Sequence, residues 1–410
     1  MHFDKELFIV DNRVAHEKEL GGDKMAKRVG IVGLAQTKYE ESKPGLHLTE
    51  LAYEVVEKLL EQTGLKFAED GSGIDATVSC SQDHWDGRTI SSMAIPDVAG
   101  GHLRDEKKVA EDGIYAAMHG MMQVLSGHHD TVLVVAHCAE SQTQARLIEN
   151  AAVDHIYLRM LGLDFLSAAA LQARRYMYKY GISAEQCAKV VVKNRRNARN
   201  NPYAQSPLEL RVEDVLNSPM LAYPLRFLDT KPVSDGACAI ILANEEKTRR
   251  FTDKPVWIKG IGNCYDAHYP GYRELADCDS LIMAAKHAYQ MAGITNPRKE
   301  IDVAEVSEFY SYQELLWMEG LGFCPRGEGG KLIDSGITQM DGELPVNPSG
   351  GLLSGVPVTV AGLSRVAEAV IQLREEAGAR QVSGARIALA HGVGGICGQL
   401  HGVMILGKGW

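Results

Sequence analysis

The segment 391–398, HGVGGICG, sets a histidine and a cysteine on either side of one glycine-rich turn. A thiol becomes a nucleophile only as its thiolate, which needs a nearby base or cation. Cys397 and His391 are therefore a candidate nucleophile and base, against the plainer reading of a packed loop cysteine and a structural hydrogen-bonding histidine. A second chemistry lies in 189–203, KVVVKNRRNARNNPY, a basic tract in a chain whose net charge is -10. Arg195, Arg196 and Arg199 form either a solvated helix face or a clamp for a phosphorylated ligand, because guanidinium groups pair with phosphate oxygens two at a time. The third candidate is 346–363, VNPSGGLLSGVPVTVAGL, a glycine-rich turn running into an apolar segment without one charged side chain. Its glycines read as a wall where backbone approaches a ligand, or as a tight turn before a buried helix.

The elements that must position these residues alternate. Buried strands are expected at 27–36, 74–81 and 130–136, and helices at 48–65, with Thr49 as N-cap, and at 115–125. After a more polar stretch at about 140–218 the pattern starts again. PVWIKGIGN (255–263) echoes RVGIVGLAQ, IDVAEV (301–306) echoes IDATVS, ARIALA (385–390) echoes TVLVVA, and GVMILGK (402–408) echoes ACAIILA (237–243). Order-preserving similarity of this kind marks an internally duplicated α/β fold. On that reading VAEDGIYAAMHG (109–120) is the first-half counterpart of the glycine-rich 346–363 segment, and the chain divides into an extension (1–26), a first half (27–250) with an inserted loop region, and a second half (251–410).

At 410 residues and 45% hydrophobic content the chain can bury a large core. The acidic balance argues against nucleic acid as the main partner. No apolar run is long enough for a membrane span, and the charged N-terminus lacks the apolar stretch of a signal peptide, so a cytoplasmic protein is expected. Eight cysteines without a CxxC pair, and no Cys/His cluster at zinc spacing, leave no metal site expected.

Five ordered segments together resemble the thiolase superfamily, in its sterol-carrier and archaeal-type branch: KNRRNARNNPYAQSP (193–207), SPMLAYPLRFLDTKPVSDGACAIILA (218–243), EVSEFYSYQELLWMEGLGFCPRGEGG (305–330), VNPSGGLLSG (346–355) and ALAHGVGG (388–395). The resemblance implies a five-layer α-β-α-β-α fold, a homodimer, and coenzyme A as a co-substrate with no permanent cofactor. It implies contacts to coenzyme A at Arg195, Arg196, Arg199, Gly350, Gly351 and Gly394. Members of this branch also work with a small zinc-ribbon and OB-fold partner, or beside an active paralogue.

The same resemblance sets out what to look for and where this chain departs. A thiolase attacks with a cysteine at the tip of the first-half loop; counting back from Gly127 puts Ala110 there, followed by Glu111 and Asp112, which read as a helix N-terminal charge pair. The expected Gly-His-Pro step reads Gly355-Val356-Pro357, and the expected His-Asp pair reads Ser307-Glu308. Glu308 as a base, Tyr310 and Tyr312 as donors to an oxyanion, and Cys397 with His391 are what remains near the implied pocket. Three functions follow: a cysteine-independent carbon–carbon lyase of retro-aldol type, a thiolase or acyltransferase with relocated residues, and a non-catalytic subunit of a complex. In the aldolases of this branch tyrosines carry the proton.

Overall fold

The computed structural model describes residues 28–68, 72–87 and 90–410; the extension read at 1–26 lies outside them. Among the described residues the strands run in chain order: β1 (Val29–Gln36), β2 (Ala76–Cys80), β3 (Asp105–Val109), β4 (Thr131–Ala139), β5 (Met220–Ala222), β6 (Leu225–Arg226), β7 (Asp235–Asn244), β8 (Val256–Tyr265), β9 (Val303–Glu305), β10 (Ile387–Gly394) and β11 (Leu400–Gly407). The longer helices are α1 (Leu48–Thr63), α2 (Gly113–Ser126), α3 (Ala145–Ala152), α4 (Phe165–Tyr180), α5 (Ala184–Ala198), α6 (Asp279–Ala292), α7 (Ser311–Gly320) and α8 (Ala361–Leu373).

The echoes in the sequence become a repeat in the sheet. Its order is β3-β2-β4-β7-β1-β8-β11-β10-β9, so that reading outwards from the centre β1, β7, β4, β2 on one side match β8, β11, β10, β9 on the other. Directions match as well. β7 is antiparallel to β1 and β4 as β11 is to β8 and β10, while β2 is parallel to β4 as β9 is to β10. The two half-sheets are hydrogen-bonded to each other through β1 and β8, where Gly30 and Ile31 face Trp257 and Val256.

Each half-sheet is apolar on both faces, as in ATVSC, TVLVVAHCA and LHGVMILG, and so is covered on both. α2 packs on β4, α8 on β10, and the two helices pack on each other in the middle layer; α1 and α6 cover the outer faces. This is the expected five-layer arrangement. One core cluster holds Ile114, Met118, Val134 and Val366 between the sheets, and another holds Leu51, Val55, Leu133 and Ile241 under α1. The N-cap of α1 is His47 rather than Thr49, and the Glu50 side chain reaches back to accept from the His47 N–H at 2.7 Å. Gly64 closes it in the left-handed region, at φ 67°.

Asp112 ties the two middle helices together. It is the N-cap of α2, accepting from Ile114 N at 2.8 Å, and its other oxygen accepts from Gly362 N in the first turn of α8, also at 2.8 Å. Asp112→Ala removes a cap and strands a buried N–H on each helix, which costs about 2–4 kcal/mol. Urea unfolding will show this as a lower midpoint at unchanged slope. A loss under about 0.5 kcal/mol means that the helices are not joined this way.

Candidate active site

Parallel strands end together, and the loops that follow them enclose a cavity of ≈ 680 Å³. Its wall takes Gln82 and Trp85 after β2, Glu111 after β3, Glu140 after β4, Phe309 and Tyr310 after β9, and the whole turn 393–399 after β10. α3, α4 and α5 of the inserted region close it with Ile148, Glu149, Phe165, Leu166, Ala169 and Arg195. The C-terminal edge of parallel strands is where an α/β sheet leaves room for a ligand.

The first-half loop turns at Glu111, one residue beyond the expected Ala110. Glu111 takes a left-handed backbone, φ 80°, which is costly for a residue with a Cβ, and its carbonyl is held by Gln82 Nε2 at 2.9 Å. That turn carries the carboxylate into the cavity, where it stays open to solvent while the surrounding protein raises its pKa by desolvation. The pair Glu111-Asp112 is therefore split: Asp112 caps the helix, and Glu111 lines the cavity. Gly394 makes this possible, since a Cβ there would lie 2.9 Å from Glu111 Oε2. A charged residue at the tip of the loop was the available signal, and the register by one residue hid it.

Tyr310 lines the cavity next to Phe309 and is stacked on Tyr312, with ring centroids 6.4 Å apart. Burial first, and then the nearby Glu149, push its phenol well above its ordinary value, so it keeps its proton at neutral pH. Tyr312 instead sits in the core, donating to Gln172 Oε1 at 2.8 Å. Glu149 is another carboxyl on the wall; burial and then the Asp164 charge raise it to about 7. Two ion pairs line the same space, Lys231 with Glu140 at 2.8 Å and Arg146 with Asp164 at 2.6 Å.

Cys397 lies on the cavity wall, 8% exposed, with φ 54°. Burial pushes its thiol up to about 12. His391 is not on the wall. It is fully buried, with Nε2 2.9 Å from His401 Nδ1 and Nδ1 accepting from Ser307 N at 3.3 Å, and burial holds its pKa well below the usual range. Both ring nitrogens are thus engaged away from Cys397.

Glu308 also lies behind the wall. It accepts from Asn194 Nδ2 at 2.9 Å, Asn347 Nδ2 at 3.0 Å and Leu353 N at 3.2 Å, and burial followed by repulsion from Glu314 raises it to about 8. Gly351, at φ 63°, packs against that carboxylate where a Cβ would collide with it, and Gly350 packs in the same way on Ala198 of α5. These glycines bring backbone close to protein rather than to the cavity. From 346–363 only Val358 reaches the wall; Val356 is in the core. Of the basic tract only Arg195 lines the cavity, while Arg196 donates to Gln339 Oε1 at 2.5 Å and Arg199 pairs with Glu209 at 2.9 Å, both at the surface.

All eight cysteines are free. Asp105, His128 and His129 come together at the opposite end of β3, a cluster that sequence spacing does not reveal. Among the described residues no helix is long and apolar enough to cross a membrane.

Two half-sheets of like order around a paired middle layer of helices, with a cavity at their shared strand ends, define a duplicated α/β enzyme fold. A family model described as thiolase C-terminal domain-like matches residues 266–408. The acetyl-CoA acetyltransferase of Methanothermobacter thermautotrophicus is 38% identical over 391 residues, covering 90% of this chain and 97% of that protein. Sterol carrier protein 2 of Gallus gallus is 29% identical over 407 residues, covering 93% of this chain and 72% of that protein. Among solved structures the Ltp2-ChsH2(DUF35) aldolase superposes with a TM-score of 0.80 at 25% identity, covering 93% of this chain and 98% of that one. The chain belongs to the thiolase superfamily, with sterol-carrier-type thiolases among its relatives.

Proposed function

We propose that this chain is an acyl-coenzyme A enzyme that breaks or forms a carbon–carbon bond by proton transfer, of retro-aldol type on a β-hydroxyacyl-CoA, with Glu111 as its base. The observation that carries the reading is the strained turn that sets a carboxylate at the loop tip, in a cavity whose one lining thiol is held up to about 12. Such a thiol keeps its proton at neutral pH, and His391, the candidate base, is bonded to His401 and Ser307 instead. Relatives named for acetyl-CoA and for an aldolase support an acyl-CoA ligand and carbon–carbon chemistry.

The step balances without a covalent intermediate. Glu111 takes the proton of the β-hydroxyl, the oxygen lone pair forms a carbonyl, the Cα–Cβ bond breaks, and its electrons pass into the thioester as an enolate. Tyr310, protonated and on the same wall, gives its proton to Cα of the enolate, and the products are an aldehyde or ketone and a shorter acyl-CoA; Glu111 then releases its proton to solvent and the phenolate takes one up, so no net proton is gained or lost. In this reading the Gly355-Val356 and Ser307-Glu308 positions supply no histidine, and coenzyme A serves only as the substrate's carrier. An aldolase named together with a second component, ChsH2(DUF35), supports a partner subunit in addition to a homodimer. A purely non-catalytic role in such a complex is the alternative that the assay below decides.

A thiolase reaction through Cys397 is the second reading, favoured by that residue's place on the wall. The two readings part in one experiment. The chain, with and without its partner, is given a β-hydroxyacyl-CoA or the matching 3-oxoacyl-CoA with free coenzyme A. Cleavage of the hydroxy ester is expected, and Cys397→Ser should keep it within about 3-fold, since that side chain donates nothing to the step. Thiolysis alone, lost in Cys397→Ser together with acyl-CoA-protected labelling by iodoacetamide, overturns the aldolase reading. Turnover of neither ester in any assembly leaves the non-catalytic role.

A further inference from the structure

The cations on the cavity wall are not equivalent. Lys231 is neutralised by Glu140 and Arg146 by Asp164. Arg195, in the last turn of α5, is 4% exposed and has no carboxylate within ion-pair distance among the described residues. Its Nη1 donates to the backbone oxygen of Ser206 at 3.0 Å, and its Nε has no hydrogen-bond partner among the described residues. A guanidinium carries five N–H donors in a rigid fork, so one carbonyl leaves most of them unused. A buried charge in this state is expensive to keep, and an anion arriving through the cavity relieves it.

Two neighbours offset part of that cost without filling the fork. The C-terminal end of α5 places partial negative charge near the side chain. Glu308 attracts it, but both Glu308 oxygens already accept hydrogen bonds from Asn194, Asn347 and Leu353, and its carboxyl is itself raised to about 8. Burial lowers Arg195 to about 10, so it remains charged at neutral pH.

We infer that Arg195 reads a carboxylate on the acyl group, and that the preferred substrates are acyl-CoA thioesters carrying a second, distal acid. This rests on the acyl-CoA reading of the cavity given above. A phosphate of the coenzyme offers the same oxyanion chemistry, but phosphates are strongly hydrated and multiply charged and suit an open basic surface. One buried fork in a cavity also lined by Phe309, Phe165 and Leu166 matches one carboxylate that enters with an apolar chain.

The test is calorimetric binding of matched esters to the full chain: succinyl-, glutaryl- and adipyl-CoA against butyryl-, valeryl- and hexanoyl-CoA, each repeated on pantetheine, which lacks the nucleotide phosphates. The best diacid ester should bind about 10- to 100-fold tighter than its neutral partner, on coenzyme A and on pantetheine alike. Arg195→Met should erase that ratio while leaving the affinity for the neutral esters in place, and that retained affinity reports an intact fold. Arg195→Lys, which keeps the charge without the fork, should retain a smaller ratio. No diacid preference in the native chain, a preference that survives Arg195→Met, or one seen only on coenzyme A overturns the inference while the acyl-CoA reading stands. Failure of every ester and of coenzyme A to bind removes that reading itself, and the inference with it.

Discussion

Glu111→Gln is expected to lower kcat for cleavage of a β-hydroxyacyl-CoA by about 10²- to 10⁴-fold, the range over which a positioned base accelerates proton transfer, with KM little changed. The exchange keeps the shape and the left-handed turn and removes only the group that accepts the proton. Desolvation raises the Glu111 carboxyl above its ordinary value near 4.5, so the base is ionised above that raised pKa and lost below it. The native rate should therefore fall on the acid side with an inflection above 4.5, and the residual rate of the Gln variant should lack that limb. Glu111→Gly separates chemistry from folding. At φ 80° a Cβ costs roughly 1 kcal/mol, so Gly should hold or raise the melting temperature while activity is lost. A Gln variant within about 3-fold of native kcat sinks the assignment, and a Gly variant that melts earlier shows that the turn is not strained as its backbone indicates.

The fold was legible because duplication writes itself into apolar strands. RVGIVGLAQ and PVWIKGIGN, or TVLVVA and ARIALA, are alike because equivalent strands meet the same neighbours on both faces, and the sheet returns them in equivalent places. The site was legible only in outline. Cys397, Tyr310, Arg195 and Gly394 do reach one cavity, but a cysteine and a histidine near each other in sequence proved to lie on different sides of a wall. β10 alternates its side chains, and His391 falls on the face that packs against Trp317 and His401. Nor can spacing tell a glycine that faces a ligand from one that faces a carboxylate, as Gly351 does. Glu111 was missed for a similar reason, since one residue of register decides whether a side chain caps a helix or points into space.

The second large effect lies behind the wall. Lys193 on α5 is fully buried, 3.1 Å from Glu314 of α7, and donates at 2.6 Å each to Asn194 Oδ1 and to the backbone oxygen of Val346. Asn194 and Asn347 both donate to Glu314 at 2.8 Å as well as to Glu308, and Val306 N donates to Asn347 at 2.7 Å. One ammonium thus holds α5, α7 and the start of the glycine-rich 346–363 segment in register, and Arg195 stands two residues along the same helix. Lys193→Met keeps the volume but leaves a buried carboxylate without its counter-charge, which should cost about 3–5 kcal/mol. Adding Glu314→Gln removes that charge while preserving an acceptor for the two asparagines, and should recover about 1–2 kcal/mol of the loss. The double-mutant cycle read by urea midpoints therefore gives a positive coupling between the two sites. Should Lys193→Met cost less than about 1 kcal/mol, the network is not what fixes the segment, and the position of Arg195 in the cavity must be set by the helix contacts alone.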